Sequence, residues 1–341
     1  FAISLTSGDF NADGKTDFAV GAYNYTTATG RAYLFYSDGS FPTTAATADV
    51  IITGETTNNS FGVSLASGDF NADGKTDLAV GANAYSTNTG RTYLFYNGSI
   101  ITENASGADI LITGETTSNY FAISLISGDF NFDGKTDLAV GAYGYSTNTG
   151  RAYLFYNGSI ITENASGADI LITGETTNNF FGYSLVSGDF NVDGKTDLAV
   201  GAYGYSTNTG RAYLFYNGSI ITENASGADV IITGETTSNY FGRSLASGDL
   251  NADGKIDLVV GASVYSTSTG RAYLFYNGSI ITENASGADV IITGEASSYF
   301  GFSLASGDFN ADGKTDLAVG ANTYSTNTGR AYLFYNGSII T

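Results

Sequence analysis

Apolar and polar residues alternate along this chain in short runs that come round about every 60 positions. The stretch Phe61-Gly-Val-Ser-Leu-Ala-Ser-Gly-Asp69 alternates with period two and predicts a short strand. A polar, acidic loop follows, and Leu78-Ala-Val-Gly-Ala82 then predicts a second strand made of small apolar residues. Asn83 to Gly90 is polar. Arg91-Thr-Tyr-Leu-Phe-Tyr96 predicts an aromatic third strand, with Tyr93 and Phe95 on one face and Leu94 and Tyr96 on the other. Asn97-Gly98 after it is a strong turn dipeptide. Beyond a further polar loop, Ile110-Leu-Ile-Thr-Gly114 predicts a fourth strand, and no segment reads as a helix. Four short strands joined by turn chemistry predict an antiparallel sheet. A sheet apolar on both faces and repeated along the chain predicts an all-β propeller of four-stranded blades. The small residues of the second strand suit a crowded position.

Copies of this unit start at Phe1, Phe61, Phe121, Phe181, Phe241 and Phe300. Regular repetition predicts one repeat-built domain over 1–341, divided as 1–60, 61–120, 121–180, 181–240, 241–299 and 300–341. The sixth copy stops before any equivalent of the fourth strand, so its blade is expected to lack an outer strand. A segment preceding Phe1 in a longer precursor, or a neighbouring molecule adding a strand, would complete it. Left open, that edge would favour association.

The loop between the first two strands carries the candidate chemistry. In Asp69-Phe-Asn-Ala-Asp-Gly-Lys-Thr-Asp77, oxygen-bearing side chains fall at positions 1, 3, 5 and 9, with Gly at position 6. That pattern suits a loop that wraps a hard cation such as Ca²⁺, with the position-7 carbonyl as a further donor. The expected ligands are Asp9, Asn11, Asp13, Lys15 and Asp17 in the first copy, and Asp69, Asn71, Asp73, Lys75 and Asp77 in the second. They continue as Asp129, Asn131, Asp133, Lys135 and Asp137, then Asp189, Asn191, Asp193, Lys195 and Asp197. The last two sets are Asp249, Asn251, Asp253, Lys255 and Asp257, and Asp308, Asn310, Asp312, Lys314 and Asp316. Each Lys enters through its backbone carbonyl, with its side chain turned outward. About six Ca²⁺ ions, one per repeat, are expected to stabilise the fold, because clustered carboxylates repel one another without a cation.

Charge fits this reading. The net charge is −20, and 18 of the 33 acidic residues belong to these loops. Six divalent ions would bring the net charge to −8. So acidic a chain is unsuited to nucleic acid or to anionic membrane surfaces. His and Cys are absent, which excludes the usual zinc sites and the Ser/His and Cys/His nucleophile systems. No apolar run reaches the length of a membrane span. The chain opens at Phe1 inside a repeat, without an initiator Met, and reads as processed or partial.

Phe61-Gly62, the acidic loop and Gly81-Ala82 at fixed spacing resemble the FG-GAP repeat of integrin α-subunit propellers and of related bacterial FG-GAP/VCBS-type proteins. The resemblance covers essentially the whole chain. It implies four-stranded blades with Ca²⁺ in the loop between the first and second strands. Three features depart from the pattern. Phe1-Ala2 and Phe121-Ala122 replace Phe-Gly, no Pro follows Gly-Ala, and loop position 3 is Asn, which lowers the ligand charge. The family also implies an extracellular or cell-surface location.

Other recurring residues have candidate roles. N-glycosylation sequons fall at Asn24, Asn58, Asn97, Asn104, Asn157, Asn164, Asn217, Asn224, Asn277, Asn284 and Asn336, although Asn-Gly is also simply a good turn. The third strand opens with Arg31, Arg91, Arg151, Arg211, Arg271 or Arg330, read as a structural partner for nearby carbonyls or acids. Glu55, Glu115, Glu175, Glu235 and Glu295 recur singly, and nothing selects a catalytic pair among them. The copies differ mostly just after Phe-Gly (Ile3, Val63, Ile123, Tyr183, Arg243, Phe302) and just after Gly-Ala (Tyr23, Asn83, Tyr143, Tyr203, Ser263, Asn322). These positions share the loop face opposite the acidic loops. The expected function is a non-catalytic, calcium-binding extracellular structural or assembly module, such as a surface-layer or filament subunit joined by strand complementation. The alternative is an integrin-like or lectin-like adhesion module. The expected partners are other copies of the chain or an extracellular protein or glycan, with no nucleic acid and no membrane insertion.

Overall fold

The computed structural model describes residues 2–39, 42 and 44–336. Phe1, where the first copy starts, and the last five residues, including Gly337 and Ser338 of the final sequon, lie outside the described residues. The fold is all-β, with six propeller blades in succession along the chain. The blades fall into two compact units, Phe1–Ile172 and Thr173–Thr341.

In the second repeat the strands are Phe61–Gly68, Asp77–Ala82, Arg91–Phe95 and Ile110–Thr113. They pair antiparallel in that order, each within a residue of its predicted bounds. The third strand is the centre of the blade: Tyr93, Leu94 and Phe95 are wholly buried, because it has neighbours on both edges and both faces. The blade of the last repeat has three strands, Phe300–Gly307, Asp316–Ala321 and Arg330–Phe334.

Two features correct the sequence reading. The blades are not purely antiparallel. Glu103–Asn104, from the second repeat, adds a two-residue parallel strand to Ile52–Thr53 of the first, and Glu283–Asn284 does the same to Ile232–Thr233. Two residues carry no periodicity, so the sequence could not announce this strand. It is fixed by the Asn104 side chain, whose Nδ2 donates to the Gly54 carbonyl (3.1 Å) while its Oδ1 accepts from Ser106 N. Helical turns also occur where none was expected. Tyr85–Asn88 is a single turn with positive φ at Ser86 and Thr87, followed later in the repeat by the 3₁₀ turn Ala105–Gly107. The Tyr85 turn has no apolar stripe. It is closed by the Thr89 hydroxyl donating to the Ser86 carbonyl (2.7 Å) and by Gly90 N donating to the Tyr85 carbonyl.

The core lies between successive blades. Leu34 and Ile52 of the first repeat pack with Phe61, Val80, Tyr93 and Phe95 of the second. In the second unit, Leu214 and Ile232 pack in the same way with Phe241, Val260, Tyr273 and Phe275. A single blade therefore cannot bury its own apolar face, as expected of a stacked repeat. The approach is close at Gly81, where an added Cβ would overlap the Ser64 hydroxyl and the carbonyl of Ala122 in the next repeat.

Candidate functional site

The six acidic loops share one geometry. In the second repeat, Asp69 Oδ1 accepts from Asp73 N (3.0 Å) and Asp69 Oδ2 accepts from Gly74 N (2.8 Å). Asn71 Oδ1 also accepts from Asp73 N, and Asp73 Oδ1 accepts from Lys75 N. Gly74 takes φ +83°, a conformation in which its missing side chain matters. The same bonds recur at Asp9, Asp129, Asp189, Asp249 and Asp308. At exposed Asp308 the amide donors, Gly313 N–H foremost, hold the carboxyl below the usual aspartate value.

The ninth position behaves differently. Asp77 is wholly buried, its Oδ2 accepting from Phe70 N (2.9 Å) and its Oδ1 from Asn97 N (2.8 Å). It therefore ties the loop's start to the turn after the third strand. Asp137, Asp197, Asp257 and Asp316 make the same pair of bonds, and in Asp17 the second donor is Ser37 N. Burial pushes the carboxyls of Asp77, Asp137, Asp197 and Asp257 up to about 6. The two backbone donors work against that rise, and the neighbouring loop aspartates add to it.

For a Ca²⁺ ion, the donor set is suitable: every loop offers hard oxygens from two Asp that are at most partly buried, one Asn, one wholly buried Asp and a carbonyl. A carboxylate oxygen that accepts one N–H keeps a second lone pair for a cation. Among the described residues, however, no three acidic side chains already converge on one point. The loop amides hold the exposed oxygens, so binding would draw the Asp side chains inward.

The sequon asparagines divide into two classes. Asn97 Nδ2 donates to the carbonyls of Asp9 and Thr76 (both 3.2 Å), and Asn157 Nδ2 to those of Asp69 and Thr136. Asn277 and Asn336 make equivalent bonds, and Asn217 donates to the Thr196 carbonyl. A sugar on that nitrogen would displace a bond that ties one acidic loop to the next repeat. Asn104, Asn164, Asn224 and Asn284 are exposed, with their side chains capping the 3₁₀ turns. Asn24 and Asn58 are exposed loop residues.

The recurring Arg and Glu meet across successive repeats. Glu55 Oε1 accepts from Arg91 Nη1 and from the Tyr93 hydroxyl, both at 2.9 Å. Arg91 Nε donates to Thr113 Oγ1, and its guanidinium lies 3.8 Å over the Tyr85 ring. Glu115 with Arg151, Glu175 with Arg211, Glu235 with Arg271 and Glu295 with Arg330 repeat the pair. The glutamates are thus committed to the fold. The near-constant separation, 36 residues in four pairs and 35 in the last, was the signal in the sequence.

On the opposite face, the loop after each fourth strand lies between the loops that follow two second strands. Ser60 N donates to the Ala28 carbonyl, and Ala84 N donates to the Asn59 carbonyl. In the second unit this face gathers the divergent aromatic residues. Phe180 stacks on Tyr203 at 4.9 Å, Tyr183 meets Tyr203 edge-on at 4.7 Å, and Tyr240 lies 5.4 Å from Tyr203. Arg243 sits over Phe302 at 4.5 Å and near Tyr183 and Tyr203. It is the one basic residue outside the loop lysines and the third-strand arginines.

The FG-GAP repeat model matches residues 1–35, 61–95, 121–155, 181–215, 241–275 and 300–334. The chain belongs to the FG-GAP repeat family. It is 30% identical over 305 residues to human phosphatidylinositol-glycan-specific phospholipase D, an alignment covering 80% of this chain and 36% of that protein. It is 31% identical to the bovine protein of the same name, over 62% of this chain and 27% of that one. It is 32% identical to Drosophila melanogaster integrin alpha-PS2, over 62% of this chain and 16% of the integrin. The chain thus spans well under half the length of these relatives.

The geometry explains the FG-GAP signature. The Phe61 ring is fully buried and packs edge-on against Tyr93 at 5.2 Å. Gly62 takes φ +84°, and a Cβ there would overlap the Arg31 carbonyl of the preceding repeat. Ala122 takes φ +68° in the same place, so the Phe-Ala variant of the motif keeps the backbone at some cost in strain. In the second strand, Gly81 admits the neighbouring repeat and Ala82 is wholly buried.

Proposed function

We propose that the chain is a non-catalytic, calcium-binding extracellular adhesion module, which holds a protein or glycan through the face opposite its acidic loops. The observation that carries this reading is the cluster of Phe180, Tyr183, Tyr203, Tyr240, Arg243 and Phe302, built from positions where otherwise near-identical repeats diverge. Aromatic faces and an arginine with no carboxylate partner among the described residues are the groups that dominate recognition surfaces. Kinship to integrin alpha-PS2 supports adhesion and an extracellular setting. Kinship to the phospholipase D proteins does not import their chemistry, because recurring acids such as Glu55 are engaged within the fold. The hard-oxygen donors of the acidic loops support Ca²⁺ as the stabilising ion.

The test is retention of the purified chain on immobilised matrix proteins and on a glycan array, in calcium and in EGTA. Binding that is lost in Tyr203→Ser and Arg243→Ser, and kept in Lys75→Ser on the opposite face, supports the reading. Binding unaffected by the first two variants, or absent from both panels, defeats it.

A further inference from the structure

In the first unit, the loop face holds a groove of about 300 Å³ lined by Thr56, Thr57, Asn58, Asn59, Ala84, Ser86, Thr87 and Asn88. The sequence explains why it is open. At the matching place one repeat later, Tyr120 stacks on Tyr143 at 4.8 Å, and at the next Phe180 stacks on Tyr203. Ser60 and Asn83 stand where those rings would be. The φ angle at the exchanged position is kept, +57° at Ser60 and +52° at Tyr120. Ala84 also differs in kind: its counterpart Gly144 has the Tyr120 ring so near that a Cβ would lie 2.8 Å from Cδ2. Three exchanges therefore separate a ring-filled junction from an open groove.

Apart from Ala84, the lining side chains carry hydroxyl or amide groups, and none is charged. Asn59 is only 3% exposed, and its Nδ2 has no hydrogen-bond partner, while its Oδ1 accepts from Thr56 Oγ1 (3.0 Å). The same nitrogen is unpartnered in Asn119, Asn179 and Asn239, beside ring-filled junctions as well, so it belongs to the loop's own geometry and the groove offers its hydroxyls instead. The volume lies at the small end of ligand sites. In a chain of net charge −20, anions are disfavoured, and nothing in the lining neutralises a cation.

We propose that this groove binds a neutral saccharide, whose hydroxyls bond the Thr57, Ser86 and Thr87 side chains. This goes beyond the adhesion reading and does not depend on the Arg243 cluster, which lies in the other unit.

The test uses the whole chain with glucose, galactose, mannose, fucose, N-acetylglucosamine and N-acetylgalactosamine, by saturation-transfer NMR and calorimetry. The Ser60→Tyr/Asn83→Tyr/Ala84→Gly variant copies the next repeat, so its fold is already exemplified in the molecule. Saccharide affinity is expected to fall at least tenfold in it. The reciprocal Tyr120→Ser/Tyr143→Asn/Gly144→Ala variant is expected to add a second site of similar affinity. Arg243→Ser is expected to leave sugar binding unchanged, even if adhesion to larger ligands is lost. Binding by none of the six sugars, or equal binding in the filled variant, overturns the proposal.

Discussion

Glu55 and Arg91, 36 residues apart and in successive repeats, form a 2.9 Å ion pair that also takes in Tyr93 and Tyr85. Their side chains are 18% and 17% exposed, whereas the corresponding Glu295 and Arg330 are 51% and 42% exposed. The same chemistry thus occurs at two depths. Removing one partner of a largely buried pair strands the other, at about 3 kcal/mol. An exposed pair is worth under about 1 kcal/mol. Glu55→Ala should therefore lower the urea midpoint clearly, and Glu295→Ala only slightly. Equal losses would show that the pair's depth is irrelevant.

The acidic loops separate a structural aspartate from exposed ones. Asp77→Asn sets an amide N–H₂ against a backbone N–H and should cost about 2 kcal/mol in EGTA, and more in calcium, since Asp77 is also one of the loop's candidate donors. Asp73→Asn removes an exposed charge from the cluster. It should leave stability in EGTA unchanged or slightly higher, and reduce the rise in Tm on adding calcium. Scanning calorimetry of both variants in the two buffers checks this. No calcium-dependent rise in the wild-type chain would remove calcium from the proposed function.

Glu103, Glu163, Glu223 and Glu283 have their carboxyls raised, mainly by burial and secondarily by Asp109 and its counterparts. A raised folded value means that the native state holds the proton more tightly than the unfolded chain. The stability these groups contribute is therefore complete below the ordinary glutamate value, and is lost as pH rises through the folded one. A variant with all four changed to Gln should gain stability relative to wild type as pH is raised from about 4. Urea midpoints of the two proteins at stepped pH test it; a difference that stays flat with pH would contradict it.

Glycines at two kinds of position should respond differently. A Cβ at Gly81 would overlap Ser64 and the Ala122 carbonyl, so Gly81→Ala should cost several kcal/mol, about the scale of a strained, overpacked core. Gly74 has open space around it and only its φ of +83° to protect, so Gly74→Ala should cost about 1 kcal/mol. Thermal melts in EGTA compare the two directly.

Much of this molecule was legible in its sequence. Period-two alternation and turn dipeptides located the four strands of the second repeat to within a residue, because those signals are local, although the first strand starts three residues late, at Ser4, Ser124 and Ser184, in the first, third and fourth repeats. The Phe-Gly pair and the Asp-rich loop identified the family. The sequence also separated the uniform from the divergent loop positions, and so pointed to Tyr183, Tyr203 and Arg243. Tertiary structure decided what those residues meet. Glu55 reads as a lone acid until the next repeat brings Arg91 to it, and Asn97 reads as a turn residue until its amide reaches the Asp9 carbonyl. The parallel strand Glu103–Asn104 is too short to have a period, and is set by pairing with Ile52–Thr53 across repeats. Asp77 looked like one ligand among four, and folding buries it as the loop's anchor. Each of these depends on contacts between residues 20 to 90 apart in sequence, which residue order alone does not encode locally.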